Sequence, residues 1–211
     1  MGGGRQWGND RCSGTGCGWA DPRWSNFVRS PRTRVKVADL LVVAVGNPSR
    51  GDDALGPRFL EQLAIWQDQH DDWDGVELLS DFQLHIEHAV DLENRRLVLF
   101  VDASVSCLPP FQFFRLQPIR DTSYTSHALS PAAVLYVYQQ INQVPPPPAF
   151  QLAIRGQSFE LGQSLSAAAE AHLAAALAFT ERLLVCRDEE SWERWAVADG
   201  QNLARTDGIA T

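Results

Sequence analysis

Polar side chains that could do chemistry follow directly after the apolar runs of this 211-residue chain. The stretch 46–53 (GNPSRGDD) places two carboxylates, Asp52 and Asp53, side by side. The stretch matches neither G-x-G-x-x-G nor G-x4-G-K-[ST], the patterns of phosphate loops, and two adjacent carboxylates would repel a phosphate. A carboxylate just before a helix often caps its free N–H groups, and this explanation covers one of the two aspartates but not both.

Two further candidates lie later in the chain. Asp102 comes directly after the apolar run 97–101, and His127 lies in the polar stretch 121–130. Hydrogen bonds to loop N–H groups would also explain Asp102, and a loop histidine is often a surface residue. Together with one of the two adjacent aspartates, these side chains form a plausible metal set, because carboxylates and imidazole suit Ni, Zn or Co. Three protein ligands would leave positions open for substrate or water.

Other kinds of catalytic site fit the sequence less well. The stretch 156–160 (GQSFE) departs from the serine-hydrolase pattern G-x-S-x-G at its final position. Cys107 precedes two prolines and Cys186 ends a predicted helix, so we interpret both as packing or surface residues. His85 and His88 do not form H-E-x-x-H, and we expect both to face solvent.

Alternating strands and helices are predicted to position these residues. Short apolar runs predict strands at 40–45, 76–79, 97–101, 111–116 and 150–154. Helices are predicted to begin at Pro57 and Pro131, and a last one covers about 166–185. This alternation is typical of an α/β three-layer sandwich. We expect one domain with about five strands in a mostly parallel twisted sheet and helices on both faces. Sites in such sheets lie at the carboxyl ends of the strands.

Charge and composition divide the chain into three parts. Residues 1–38 form an extension rich in Gly, Trp and Arg, which we expect to be disordered or to reflect a mis-called start. Residues 39–186 form the predicted domain, with eight basic and eighteen acidic side chains. Residues 187–211 form a polar acidic tail, expected to be loosely held, with Trp192 and Trp195 as possible docking points.

The composition also excludes some classes of function. A net charge of −8 argues against a nucleic-acid-binding surface. The sequence contains no apolar run of about 18 residues, so a membrane span is not expected. Four widely spaced cysteines do not form a disulfide framework, which favours a reduced cytoplasmic setting. We expect a monomer, because no large apolar face is left over.

Five short motifs follow one another within residues 39–185. They are GNPSRGDDALG at 46–56, QLHIEHA at 83–89, VDA at 101–103, SHALSP at 126–131 and FELGQSLS at 159–166. In this order they resemble the G-N-x4-D-D-x-x-G, Q-L-x-x-E-x-A, V-D-A, histidine-loop and F-E-L-G-x-x-L-S segments of the [NiFe]-hydrogenase maturation proteases. The extension and the tail lie outside the resemblance.

The resemblance implies an aspartic-type endopeptidase that trims a C-terminal extension from the precursor of a hydrogenase large subunit after nickel insertion. The nickel-contacting positions of the family fall on Asp53, Asp102 and His127; the first is glutamate in some members. The nickel would belong to the substrate and serve for recognition, and Asp53 or Asp102 is a candidate general base. Two alternatives remain. A non-catalytic assembly factor could bind the nickel-loaded precursor, and a nucleotide-binding domain would require phosphate contacts that this loop lacks.

Overall fold

The computed structural model describes residues 37–69, 73–120 and 129–196. All described residues lie in the unit Val37–Thr211. The described part contains five strands: β1 (Leu40–Val45), β2 (Val76–Asp81), β3 (Leu97–Ser104), β4 (Phe111–Arg115) and β5 (Ala149–Arg155). Its α-helices are α1 (Leu55–Gln67), α2 (His88–Asp91), α3 (Pro131–Asn142), α4 (Ala167–Val185) and α5 (Glu189–Trp195).

The strands form one mixed sheet in the order β2-β1-β3-β5-β4. Strands β2, β1, β3 and β5 are parallel, whereas β4 pairs antiparallel with β5. The predicted α/β fold with about five strands in a mostly parallel sheet is therefore confirmed.

Helices pack on both faces of the sheet because the central strands are apolar on both sides. All six residues of β1 are buried. Its alternate residues Leu40, Val42 and Ala44 pack with side chains of α1, α4 and α5. The residues between them, Leu41, Val43 and Val45, pack with side chains of α2 and α3. Period-two alternation thus divides the apolar side chains between two cores and produces three layers.

The beginning of the predicted tail is folded. Residues Glu189–Trp195 form α5, and Asp188 caps it by accepting a hydrogen bond from the Ser191 N–H, 2.8 Å away. Trp192 is fully buried, and its Nε1–H donates to the carbonyl groups of Leu183 and Cys186. Trp192 thus anchors this segment in the core, where a loosely held tail was expected. None of the described helices combines the length and apolarity required to cross a membrane.

The strand order identifies where a site is expected to lie. From β1 the chain passes through α1 to β2 on one side, and it then returns to β3 on the other side of β1. The connections diverge between β1 and β3, and ligand sites of open α/β sheets lie at the carboxyl ends of strands where this occurs. Asp53 follows β1, and Asp102 lies near the end of β3.

Candidate functional site

The loop after β1 has a backbone that requires glycine. Gly46 has a φ of +142°, and a Cβ there would collide with the carbonyl oxygen of Asp53. Gly51 has a φ of +54°, and its Cβ would lie 2.5 Å from the carbonyl oxygen of Ser158. These glycines let the loop fold closely on itself and on the segment after β5. The loop ends in a 3-10 turn, Gly51–Ala54, that leads directly into α1.

Asp53 lies in this turn and is half-buried. Its Oδ2 accepts a hydrogen bond from the backbone N–H of Asn47, 3.0 Å away. The Asn47 side chain in turn accepts from the N–H of Ser49 at 2.9 Å. The loop therefore wraps around the Asp53 carboxylate and fixes it at the carboxyl end of β1.

The neighbouring Asp52 has a different environment, because it is fully buried. It accepts hydrogen bonds from the N–H groups of Gln157, Ser158 and Ser166 and from the Ser166 hydroxyl, at 2.7 to 2.9 Å. Burial alone would raise the pKa of Asp52, but these four donors outweigh it and hold the pKa below its usual value. The sequence indicated that one of the two adjacent aspartates binds free N–H groups but did not decide which one. In the structure, Asp52 has this role.

Asp102 lies inside β3, which continues to Ser104, three residues beyond the strand end predicted at 101. Its side chain is mostly buried. Burial raises the pKa of Asp102 to about 7; the Ala103 N–H opposes the shift, and the negative charge of Asp53 adds to it. A carboxyl group with this pKa is partly protonated at neutral pH, which is the property of a general acid or base.

Asp53 lies in the turn after β1 and Asp102 lies on the neighbouring parallel strand β3, close enough for the charge of Asp53 to raise the pKa of Asp102. The third predicted member of the set, His127, lies outside the described residues. Leu129 is described, and its N–H donates to the carbonyl of Leu84 at 2.9 Å. This bond ties the chain two residues after His127 to the loop that follows β2. Within the described part of the chain, no group of three or more His, Cys, Asp or Glu side chains could hold a metal ion.

The expectation for His88 was wrong, because this side chain is buried rather than exposed to solvent. Its Nδ1 accepts a hydrogen bond from the His85 N–H at 2.9 Å. Nε2 lies 3.5 Å from Oδ2 of Asp81, the last residue of β2. Pairing with a strand-end carboxylate explains the burial, and the short-range sequence pattern gave no signal for it.

Cys107 is a packing residue, as predicted. It is buried, and its thiol lies 3.4 Å from the carbonyl oxygen of Ala153 on β5. Burial raises the pKa of the Cys107 thiol, so the protonated and unreactive form is favoured. No cysteine nucleophile is present at this position.

Comparison with known proteins gives structural matches only. No protein-family model matches the chain, and no curated protein matches it. The hydrogenase-maturating endopeptidase HybD from E. coli matches with a TM-score of 0.53 and 26% identity, over 70% of this chain and 93% of that one. The [NiFe] hydrogenase maturation protease HycI from Thermococcus kodakarensis KOD1 matches with a TM-score of 0.52 and 18% identity, over 72% of this chain and 95% of that one. A hydrogenase 2 maturation peptidase from Thaumarchaeota archaeon SCGC_AB-539-E09 matches with a TM-score of 0.50 and 24% identity, over 69% of this chain and 97% of that one.

These matches span nearly the whole length of each of the three proteins and most of the present chain, at low sequence identity. The protein therefore has the fold of the [NiFe]-hydrogenase maturation proteases.

Proposed function

We propose that this protein is an endopeptidase that removes the C-terminal extension from the nickel-loaded precursor of a [NiFe]-hydrogenase large subunit. One observation carries the proposal. Asp53 and Asp102 interact at the carboxyl edge of the sheet, where the connections diverge, and the pKa of Asp102 is about 7. The structural similarity to a hydrogenase-maturating endopeptidase supports this choice of substrate.

Asp53, Asp102 and His127 are proposed to contact the nickel of the incoming precursor. The nickel is part of the substrate, so the site distinguishes loaded from empty precursor by charge. An empty precursor would leave two interacting carboxylates without a cation, which disfavours the complex. Position 53 is aspartate, which keeps the carboxylate type of ligand found at this position in related proteases. The nickel would supply Lewis-acid polarisation of the scissile carbonyl.

Asp102 is proposed as the general base. In its ionised form it takes a proton from a water molecule as the water oxygen bonds to the scissile carbonyl carbon. The same proton then passes to the nitrogen of the leaving segment as the C–N bond breaks. The products are a carboxylate on the mature subunit and an amine on the released peptide. The Asp102 carboxylate thus carries the proton from the water oxygen to the leaving nitrogen.

The test is the intact mass of a nickel-loaded large-subunit precursor before and after mixing with the protein. We expect the loss of one C-terminal fragment with the wild type, and no loss with metal-free precursor or with Asp53→Ala or His127→Ala. Asp188→Asn is the matched control, because Asp188 caps the distant α5 and lies outside the site. It is expected to cleave like the wild type.

The other outcomes separate the competing functions. An unchanged mass with co-elution of the two proteins would favour the non-catalytic assembly factor over the protease. Neither cleavage nor co-elution would rule out that precursor as the substrate. Cleavage that is equally fast without nickel would contradict nickel recognition while retaining the peptidase activity.

A further inference from the structure

The carboxylate of Asp52 joins two parts of the chain that are far apart in sequence. Its partners Gln157, Ser158 and Ser166 lie 105 to 114 residues later. A buried carboxylate is costly unless donors replace the water it loses, and here four donors do so. Three of these bonds reach Oδ2 and one reaches Oδ1, so both oxygens of the Asp52 carboxylate are bound by donors of the later segment.

The two joined segments belong to strands that are not neighbours. Asp52 follows β1, whereas its partners follow β5, and β3 lies between these strands in the sheet. Strand β3 carries Asp102. The Asp52 carboxylate thus connects the loops on either side of the strand that carries the other member of the reactive pair.

Backbone bonds reinforce the same connection. The N–H of Asp52 donates to the carbonyl oxygen of Ser158 at 2.7 Å. The N–H of Gly51 donates to the carbonyl oxygen of Gln163 at 3.1 Å. In the other direction, the N–H of Gly162 donates to the carbonyl oxygen of Ser49 at 2.7 Å. The fit is close, since a Cβ at Gly156 would lie 3.0 Å from the Cβ of Asp52. The turn that carries Asp53 is therefore held from the side of the β5 loop.

We propose that Asp52 is a positioning residue for the proposed peptidase. By fixing the 3-10 turn against residues 157–166, it holds the adjacent Asp53 at a set distance from Asp102. It contacts neither substrate nor nickel. The proposal rests on the proposed function, and it assigns to the first aspartate of the pair a role distinct from that of the second.

The Ser166 hydroxyl provides a milder way to weaken the connection. It donates to Asp52 at 2.9 Å and also accepts from the Ala169 N–H at 3.2 Å as the N-cap of α4. Ser166→Ala removes the hydroxyl, whereas Ser166→Thr keeps one. A comparison of these two variants thus tests the hydroxyl without removing a buried charge.

The experiment compares cleavage of nickel-loaded precursor by the wild type, Asp52→Asn, Ser166→Ala, Ser166→Thr and the control Asp188→Asn. Assays are run at a temperature where each variant is folded. We expect kcat to fall about 100-fold in Asp52→Asn and about fivefold in Ser166→Ala, because small displacements of reacting groups are costly. KM is expected to change less than threefold. Ser166→Thr and Asp188→Asn are expected to match the wild type.

Hydrogen exchange of the Asn47 amide is measured in parallel, because this N–H binds the Asp53 carboxylate. We expect faster exchange in Asp52→Asn and Ser166→Ala but not in Asp188→Asn. If Asp52→Asn does not fold, the two Ser166 variants decide the question. Folded variants with wild-type kcat and wild-type Asn47 exchange would overturn the positioning role. An inactive wild type would contradict the proposed function instead, and the exchange data would still test the connection.

Discussion

The carboxylates of Asp52 and Asp102 show that one edge of a sheet can lower the pKa of one acid and raise that of another. Asp52 is fully buried, yet four hydrogen-bond donors keep its pKa below the usual value. Asp102 is also largely buried, and its pKa rises to about 7 against the opposing effect of the Ala103 N–H. The number of donors therefore separates the two aspartates better than burial does.

The local backbone explains why the donors are distributed in this way. Asp52 faces a loop with consecutive free N–H groups at Gln157 and Ser158, and it also faces the N-terminus of α4 at Ser166. Such N–H groups favour an anion. Asp102 lies within β3, next to β5, where backbone N–H groups are engaged in the sheet. A strand interior offers a carboxylate few donors, so the effect of burial on the pKa of Asp102 is only partly offset.

The largest expected effect is on stability when Asp52 loses its charge. Asp52→Asn keeps one acceptor oxygen but places an NH2 group against N–H donors. We expect the free energy of unfolding to fall by about 3 kcal/mol at pH 7, because hydrogen bonds to a buried charge are worth more than neutral ones. Urea unfolding followed by circular dichroism measures this change.

The pH dependence of the same variant provides a second check. A lowered carboxyl pKa contributes stability above the unfolded value of 3.8, and this stability is lost as the pH falls through the folded value. The difference between wild type and Asp52→Asn should therefore shrink below pH 3.8. Asp188→Asn, which alters an exposed helix cap, is expected to cost much less at pH 7. Equal losses in the two variants would show that burial and the four bonds of Asp52 are unimportant.

The stability contributed by Asp102 should depend on pH in the opposite direction. Because its pKa is raised from 3.8 to about 7, the folded state gains stability from the protonated form. That stability is complete below pH 3.8 and is lost as the pH rises through about 7. Asp102→Asn cannot ionise, so we expect it to be more stable than the wild type at pH 8.5, by about 2 kcal/mol, because solvent screening of the partly exposed carboxyl group reduces the effect of its raised pKa. Urea unfolding at pH 4 and pH 8.5 measures the difference, and a pH-independent value would refute the raised pKa.

The fold was predictable because its signals are local. Strands such as β1 are short, apolar and rich in β-branched residues, and helices α3 and α4 begin at the Pro131 and Ser166 signals of helix starts. The beginning of the tail was the main exception. Trp192 was expected as a possible docking point, but the helix around it was not predicted, because its polar residues gave no sign of it. Trp192 is buried by contacts with Leu183 and Cys186 and with aromatic rings on β4 and β5.

The site was predictable only in part. Asp53 and Asp102 could be placed at strand ends from the apolar runs before them, because parallel strands align their carboxyl ends. Which of Asp52 and Asp53 is held by N–H donors could not be predicted from the residues themselves, and only the family resemblance favoured Asp53 as the site residue. The binding of Asp52 depends on Ser166, 114 residues away, and nothing in the local sequence links the two. The pairing of His88 with Asp81 was also missed, although these two residues are only seven positions apart.

The smallest expected effect concerns the electrostatic interaction between the carboxylates of Asp53 and Asp102. Burial is the main cause of the raised pKa of Asp102, and the negative charge of Asp53 is a lesser one. Asp53→Asn removes that charge but keeps a side chain of similar size. We therefore expect the pKa of Asp102 to fall by less than about one pH unit and to remain well above 3.8. Carbon-13 NMR of the Asp102 carboxyl carbon across a pH titration measures the change.

Asp81→Asn is the matched control for this titration. Asp81 also ends a strand at the same edge, but β2 is separated from β3 by β1. Neutralising it should leave the pKa of Asp102 unchanged if the coupling is specific to Asp53. Equal decreases in the two variants would mean that Asp102 responds to the general negative charge of this edge. This result would contradict a specific cation-recognition site formed by Asp53 and Asp102, although the effect of burial on the pKa of Asp102 would remain.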